Sequence, residues 1–342
     1  MKIGWKKVAA SLGLVGVLAA MVCFLQEENK STTRSLFAMD TYMEITAYGR
    51  NSENAVEAAV DEIERLDALL STGSAASEIT MLNQNKTAVV SEDSAYLLRR
   101  SMELWKSTGG AFDITIYPVM KAWGFAGDTF RVPTDQELKR LLDFVDSSQI
   151  AYDEETKTVV LPEQVEIDFG GIAKGYTSAR VSQIMEEYHI KSAKLNLGGN
   201  VQTVGTKADG SLWRIAIKSP DDTFPYLGVI SVEDKAVITS GGYERYFEEN
   251  GIIYHHIIDP KNGKPAQNGL VSVTIVCEDG TLADGLSTAL YVMGKDDAIT
   301  YWKAHKNEFD AVFFDASGML YVTEGLEGSF TSELEYEMIP GN

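Results

Sequence analysis

The stretch Leu270-Val-Ser-Val-Thr-Ile-Val-Cys277 is followed three residues later by Thr281-Leu-Ala-Asp284-Gly-Leu-Ser-Thr288-Ala-Leu-Tyr-Val-Met-Gly294, and it reads as an apolar strand leading into a short helix. In the helix, Leu282, Leu286, Ala289, Leu290 and Val292 cover most of the circumference, so it belongs in a core. Asp284 and Thr288 then lie one turn apart on one face. A carboxylate and a hydroxyl on a buried helix need a partner that offsets their desolvation, and a hard cation with oxygen ligands is one. The alternative is that Asp284 caps its own first turn while Thr288 bonds back to a carbonyl. This segment alone leaves both open.

Outward from it, residues 158–161, 165–169, 193–197, 212–217, 228–232 and 252–258 have the same strand-like character, with a helix over 172–188 among them. Towards the amino end, residues 36–48 alternate as a strand. Ala55, Ala59, Ile63, Leu66, Leu69 and Leu70 then recur at helical spacing. A helix over 96–106 ends at Gly109-Gly110, and Thr134 with Glu137 forms a capping box at the head of a helix over 134–145. The expected class is α+β, mixed sheets with packed helices. No repeat or internal boundary interrupts it, since residues 218–225 read as a surface loop.

A chain of 342 residues can close a core around a ligand. Its net charge of −20, with no Lys/Arg cluster beyond the first residues, argues against nucleic acid as a partner. Two cysteines, Cys23 and Cys277, give neither a disulfide framework nor zinc-ligand spacing, and Cys277 reads as a core thiol. Lys2, Lys6 and Lys7 precede an uncharged stretch over 8–25 and a polar linker, the pattern of an export signal or membrane anchor. The expected organisation is an anchor over 1–25, a linker over 26–35 and one domain over 36–342, outside the cytoplasm and attached to the membrane. Cys23 is a further candidate for lipidation, although Ala20-Met21-Val22 departs from the small residues such a signal prefers.

Three glycine-rich polar turns follow strand-like runs: Asp168-Phe-Gly170-Gly171-Ile-Ala-Lys174-Gly-Tyr176, Asn196-Leu-Gly198-Gly199-Asn200 and Thr239-Ser240-Gly241-Gly242-Tyr243. Glycines let backbone approach a ligand closely, and helix N-terminal amides favour an anion. The first is neither a Walker A loop, since the spacing GxxxxGK followed by Ser or Thr is absent, nor a GxGxxG fingerprint. His255-His256 sits where a strand enters a turn, and neighbours on a strand face opposite sides, so at most one serves a given site.

Read together, these segments resemble the ApbE family of flavin transferases. The matching pieces run in order: Met39-Asp-Thr41; Ser71-Thr72 with Ser77-Glu78-Ile79 and Leu82-Asn83; Gly110-Ala111-Phe112-Asp113; Asp168 to Tyr176; Asn196 to Asn200; Thr239-Ser240-Gly241 with Tyr246-Phe247; His256 to Pro260 with Gly263; and Ala283-Asp284 with Thr288-Ala289. The resemblance implies a single large catalytic unit, related to the T-fold, behind the anchor. It further implies Mg²⁺-dependent transfer of the FMN half of FAD to a Thr or Ser hydroxyl of an acceptor protein, with AMP released. By position, Gly171, Asp284 and Thr288 would hold the metal. Met39, Ala111, Phe112, Asp113, Asp168, Lys174 and Ile258 would line the FAD site, and His256 would handle the proton. Gly73, Ala179 and Gly242 depart from the family's usual Tyr, Asp and Asp, which bears on ring binding. A pyrophosphatase splitting FAD into FMN and AMP, or a flavin binder without chemistry, would use the same site.

Overall fold

The structure, a computed structural model, describes residues 30–127, 129–220 and 224–342. The expected anchor over 8–25, and Cys23 with it, lie outside the described residues. Strands and helices are numbered in chain order. The centre is a nine-stranded sheet in the order β1 (Ser31–Ala38), β2 (Thr41–Tyr48), β6 (Ser192–Leu197), β7 (Asn200–Gly205), β10 (Ala236–Gly241), β13 (Leu270–Cys277), β14 (Asp310–Asp315), β15 (Leu320–Thr323) and β17 (Tyr336–Ile339). Every neighbouring pair is antiparallel except β15 with β17.

Strand alternation divides the core between the two faces of this sheet. In β10, Ala236 and Ile238 point to one side and Val237 to the other; in β13, Val273 and Ile275 oppose Val276. On the first side lie the helices α1 (Ser52–Leu70), α6 (Ala173–Glu187) and α7 (Gly280–Met293). The second side is covered by a small sheet, β8 (Trp213–Lys218), β9 (Tyr226–Val232) and β16 (Phe330–Thr331), whose Trp213, Ile215 and Ile230 meet Val237 and Val276. Ala55, Ala59 and Ile63 of α1 interdigitate with Met43, Ile45 and Leu195 of the sheet. Each fully buried side chain of the size of Ile63 contributes about 1.5–3 kcal/mol of burial free energy.

The remaining elements form two lobes beside this sandwich. One holds α2 (Glu78–Asn85), α3 (Glu92–Ser107) and a sheet of β3 (Thr87–Val89), β5 (Thr158–Val160) and β4 (Ala151–Asp153). The other holds α4 (Tyr117–Trp123), α5 (Asp135–Leu142) and the ribbon β11 (Tyr246–Glu249) and β12 (Ile252–His255). There Phe247 stacks between Phe130 and Tyr254, and Trp123 meets Tyr254. Helix α8 (Lys295–His305) closes the carboxyl end with Trp302 buried.

Several elements differ from the reading of the sequence. The strand expected over 36–48 is a hairpin, β1 and β2, turning at Met39 (φ 49°) and Asp40 (φ 58°). The polar residues Ser31–Ser35, expected as linker, pair with Glu44–Tyr48; their composition suits an edge strand with one solvated face. The extended run over 165–169 joins no sheet. The side chain of Asn83 takes the place of a neighbouring strand, donating to the Ile167 carbonyl at 2.8 Å and accepting from its amide at 2.8 Å. The capping box is half made: Thr134 accepts from the Glu137 amide, but the Glu137 carboxylate goes to Arg131. Strand β12 stops at His255, after which Ile257 and Ile258 turn into the core.

Candidate active site

Two helices cross where neither carries a side chain. A Cβ on Gly175 of α6 would lie 2.2 Å from the Gly280 carbonyl and 2.5 Å from Asp284 Cβ, and one on Gly280 of α7 would lie 2.5 Å from Ser178 Oγ. The close approach lets the Gly175 amide donate to Asp284 Oδ2 at 2.8 Å. Asp284 is not a cap. Asp279 fills that role, accepting from Thr281, and α7 begins at Gly280, so Asp284 lies more than a turn inside the helix and is buried. Burial raises its carboxyl above the usual carboxylate range, against the pull of Lys174, the Gly175 amide and Asn200. Asn200 Nδ2 lies close enough to act on it and has no hydrogen-bond partner among the described residues.

Thr288, one turn on, does not bond back to a carbonyl either. Its Oγ1 is 3.3 Å from Ser240 Oγ, at the end of β10. The Gly170-Gly171 turn leads into α6, and Gly171 sits against the ring of Phe112, which a Cβ there would meet at 3.1 Å. Asp168 precedes this turn. Its amide donates to the Ile114 carbonyl at 3.0 Å, and burial raises its carboxyl against the Phe169 and Gly170 amides, Lys174 and Arg245. Lys174 makes no ion pair within the protein among the described residues, yet its field reaches Asp168, Asp284 and Glu244.

His256 lies in the same field. Its Nδ1 is 3.1 Å from the Arg245 carbonyl, and its ring stands edge-on to Phe125. Burial, followed by the neighbouring cations Lys174 and Arg245, depresses the imidazole to about 4, so the ring is neutral at pH 7. His255 faces elsewhere: Nε2 meets the Ala266 carbonyl at 3.1 Å and the ring is edge-on to Tyr291. Gly242 makes room for His255 and Tyr291, because a Cβ there would lie 2.9 Å from His255 Cδ2 and 2.9 Å from the Tyr291 hydroxyl. Met39, in the left-handed hairpin turn, is held by its amide to Asp67 Oδ1 at 3.1 Å, and Thr177 Oγ1 of α6 lies 3.6 Å from its sulfur.

Asp284, Thr288, Lys174, Asp168, His256 and Gly171 with Phe112 are thus drawn together around the start of α6. Ala111 is buried beside Phe112. Two residues expected to line the FAD site are turned inward. Asp113 accepts from Thr115 through its amide at 2.8 Å and from Ser147 through its hydroxyl at 2.7 Å and amide at 3.1 Å, which locks the turn before α4. The Ile258 side chain packs with Val119, Trp123 and Phe125. The residues that sequence reasoning passed over are Arg245, Asn83 and Ser240 as individuals. Asn83 and Ser240 lay in quoted motifs, but a lone amide or hydroxyl carries no spacing signal. A cavity of about 260 Å³ lined by Trp123, Tyr254, Lys264 and Asn268 holds none of the candidate residues.

No group of three or more His, Cys, Asp or Glu side chains arranged for a metal occurs among the described residues. A cation here would need mixed oxygen donors. Asp284, Thr288 and the Gly171 carbonyl are of that kind, and the raised carboxyl of the buried Asp284 is the environment that a bound dication would relieve.

The sequence profile of the ApbE family matches residues 39–313. An FAD:protein FMN transferase of Haemophilus influenzae is 32% identical over 307 residues, 84% of this chain and 88% of that protein. One from Treponema pallidum is 32% identical over 308 residues, 82% and 85% of the two chains. Among solved structures, the ApbE protein of Thermotoga maritima superposes with a TM-score of 0.82 at 31% identity, covering 88% of this chain and 99% of that one. The flavin transferase ApbE of Vibrio cholerae gives 0.78 at 27% identity, covering 87% and 98%. With its glycine turns, the α6–α7 crossing and its buried Asp284 all inside the matched span, the chain belongs to the ApbE family.

Proposed function

We propose that the chain is an FAD:protein FMN transferase: a Thr or Ser hydroxyl of an acceptor protein attacks the FMN phosphorus of FAD, the phosphoanhydride bond breaks and AMP leaves. The relatives that carry this name align over most of both chains, which supports reading the site in the same terms. The observation that carries the mechanism is the convergence of a neutral His256 and a buried Asp284 on Lys174. Phosphoryl transfer asks a protein mainly for positioning and charge neutralisation. Lys174 supplies a cation for the diphosphate, and the glycines of the Gly170-Gly171 turn let it approach the backbone closely. His256, uncharged, can accept the proton of the incoming hydroxyl. Asp284, Thr288 and the Gly171 carbonyl would hold Mg²⁺, which when bound neutralises charge on the diphosphate.

The decisive experiment incubates the purified full-length chain with FAD, Mg²⁺ and a candidate acceptor and weighs the acceptor by mass spectrometry. A mass gain of one FMN less water, with AMP in equal amount, is expected. FMN and AMP released with the acceptor unchanged would make it a pyrophosphatase, and no turnover with tight FAD binding would leave a flavin binder. The chain is further proposed to work outside the cytoplasm, held at the membrane by residues 1–25; Lys2, Lys6 and Lys7 ahead of the uncharged stretch support this. Protease added to cells stripped of outer layers should digest the domain, and its protection would overturn that placement.

A further inference from the structure

Three hydroxyls link the end of β10 to α7. Ser287 Oγ lies 2.8 Å from the Asp284 carbonyl, Ser240 Oγ lies 2.7 Å from Ser287 Oγ, and Thr288 Oγ1 lies 3.3 Å from Ser240 Oγ. Each hydroxyl has one proton to give. A carbonyl has none, so the proton between Ser287 and Asp284 belongs to Ser287; two oxygens at 2.8 Å without one would repel. Ser287 must then accept from Ser240, and Ser240, its own proton committed, must accept from Thr288. The direction of the whole chain follows from its last member.

The same chain explains why Thr288 does not bond back along its own helix. The carbonyl it would reach four residues earlier is that of Asp284, whose two lone pairs already take the helical amide of Thr288 and the Ser287 hydroxyl. With its proton drawn towards β10, Thr288 Oγ1 faces the other side with lone pairs only. That is the state a cation ligand needs, because a proton pointing into the site would repel a dication.

We propose that Ser240 is a positioning residue: as the obligate acceptor of the Thr288 proton, it fixes the Thr288 hydroxyl as a pure acceptor towards a divalent cation shared with Asp284. The inference rests on the metal reading given above. Groups that orient a metal ligand through its other hydrogen bond are worth about 10–100-fold in metal affinity. Ser240→Ala leaves the Thr288 proton free to turn inward. Ser287→Ala frees the Ser240 proton to turn towards Thr288, with the same consequence by a different route. Thr239→Ala is the control, since its hydroxyl bonds to Thr274 at 2.8 Å and stands outside the chain of donors.

The test titrates Mg²⁺ into the full-length chain and its three variants, reading the rise in melting temperature, and repeats the titration by calorimetry with FAD bound. Ser240→Ala and Ser287→Ala should shift the Mg²⁺ midpoint upward by about 10-fold or more, with transfer recovered at saturating Mg²⁺, while Thr239→Ala keeps the wild-type midpoint. Ser240→Thr, which retains a hydroxyl, should restore the midpoint. A Ser240→Ala midpoint equal to wild type, even with a lower melting temperature without metal, overturns the proposal and makes Ser240 a packing residue. A wild-type chain that shows no Mg²⁺ response overturns both this inference and the metal reading.

Discussion

His256 is depressed to about 4 by burial and by Lys174 and Arg245, below the ordinary histidine value of 6.5. The sign follows: the unfolded chain takes up a proton as pH falls through 6.5 while the folded ring refuses it, so stability is lost progressively between 6.5 and 4. A base that stays neutral down to about 4 predicts that the acid limb of kcat/KM falls near that pH and not near 6.5, measurable in a rate profile over pH 4–8. His256→Ala should lose roughly 10²–10⁴-fold in single-turnover transfer and still bind FAD, whereas His255→Ala, which gives up contacts to Ala266 and Tyr291, should cost stability and little rate. Asp284→Asn keeps an acceptor for the Gly175 amide but removes the charge, so the fold should persist by circular dichroism while Mg²⁺-dependent transfer falls by orders of magnitude. If the Asn variant turns over as the wild type does, Asp284 is not a metal ligand.

The crossing of α6 on α7 is the element that sets the site. Gly175→Ala puts a methyl into the Gly280 carbonyl and Asp284, so the helices must part; about 1–3 kcal/mol of stability should be lost in urea unfolding, with a further loss of transfer because Asp284 moves with α7. Much at this scale was legible in the sequence. The 3.6-residue spacing of Ala55, Ala59, Ile63 and Leu66 reflects one buried face, the near-continuous apolar run of β13 reflects burial on both faces, and the structure has both elements. Residues 165–169 alternate, yet no strand pairs with them among the described residues, because alternation reports burial and is silent about which group satisfies the backbone. Here separate groups satisfy it one by one: Asn83 pairs Ile167 from 84 residues away, Lys86 donates to the Val165 carbonyl and the Ile114 carbonyl takes the Asp168 amide. Asp113 shows another limit of local spacing: a turn acid near a glycine pair suits ligand binding and turn capping alike, and its carboxylate accepts from Thr115 and Ser147 in the turn before α4. The directions of the Ser240, Ser287 and Thr288 hydroxyls depend on packing between β10 and α7, which no local spacing records.

At the scale of the molecule, the central sheet continues well past the last motif of the site. Strands β14, β15 and β17 follow Gly294, and β14 covers the edge of β13, where Val273 and Ile275 are fully buried. Removing residues 295–342 would leave β13 as a bare apolar edge, so the truncated chain should bind a hydrophobic dye, lack a cooperative melt and form aggregates even though every candidate site residue is retained. A shortened chain that melts sharply would show that the carboxyl strands are an accessory. The arm bearing Asp168 stands apart from this sheet, since Asn83, Lys86 and the Ile114 carbonyl rather than a ladder hold it. Its opening can therefore be timed separately from global unfolding: in deuterated solvent the Ile167 amide should exchange faster than the amides of β13, and bound FAD should slow it while leaving the sheet's own exchange unchanged. One amide would thus act as a clock for how often the arm that carries Asp168 comes ajar.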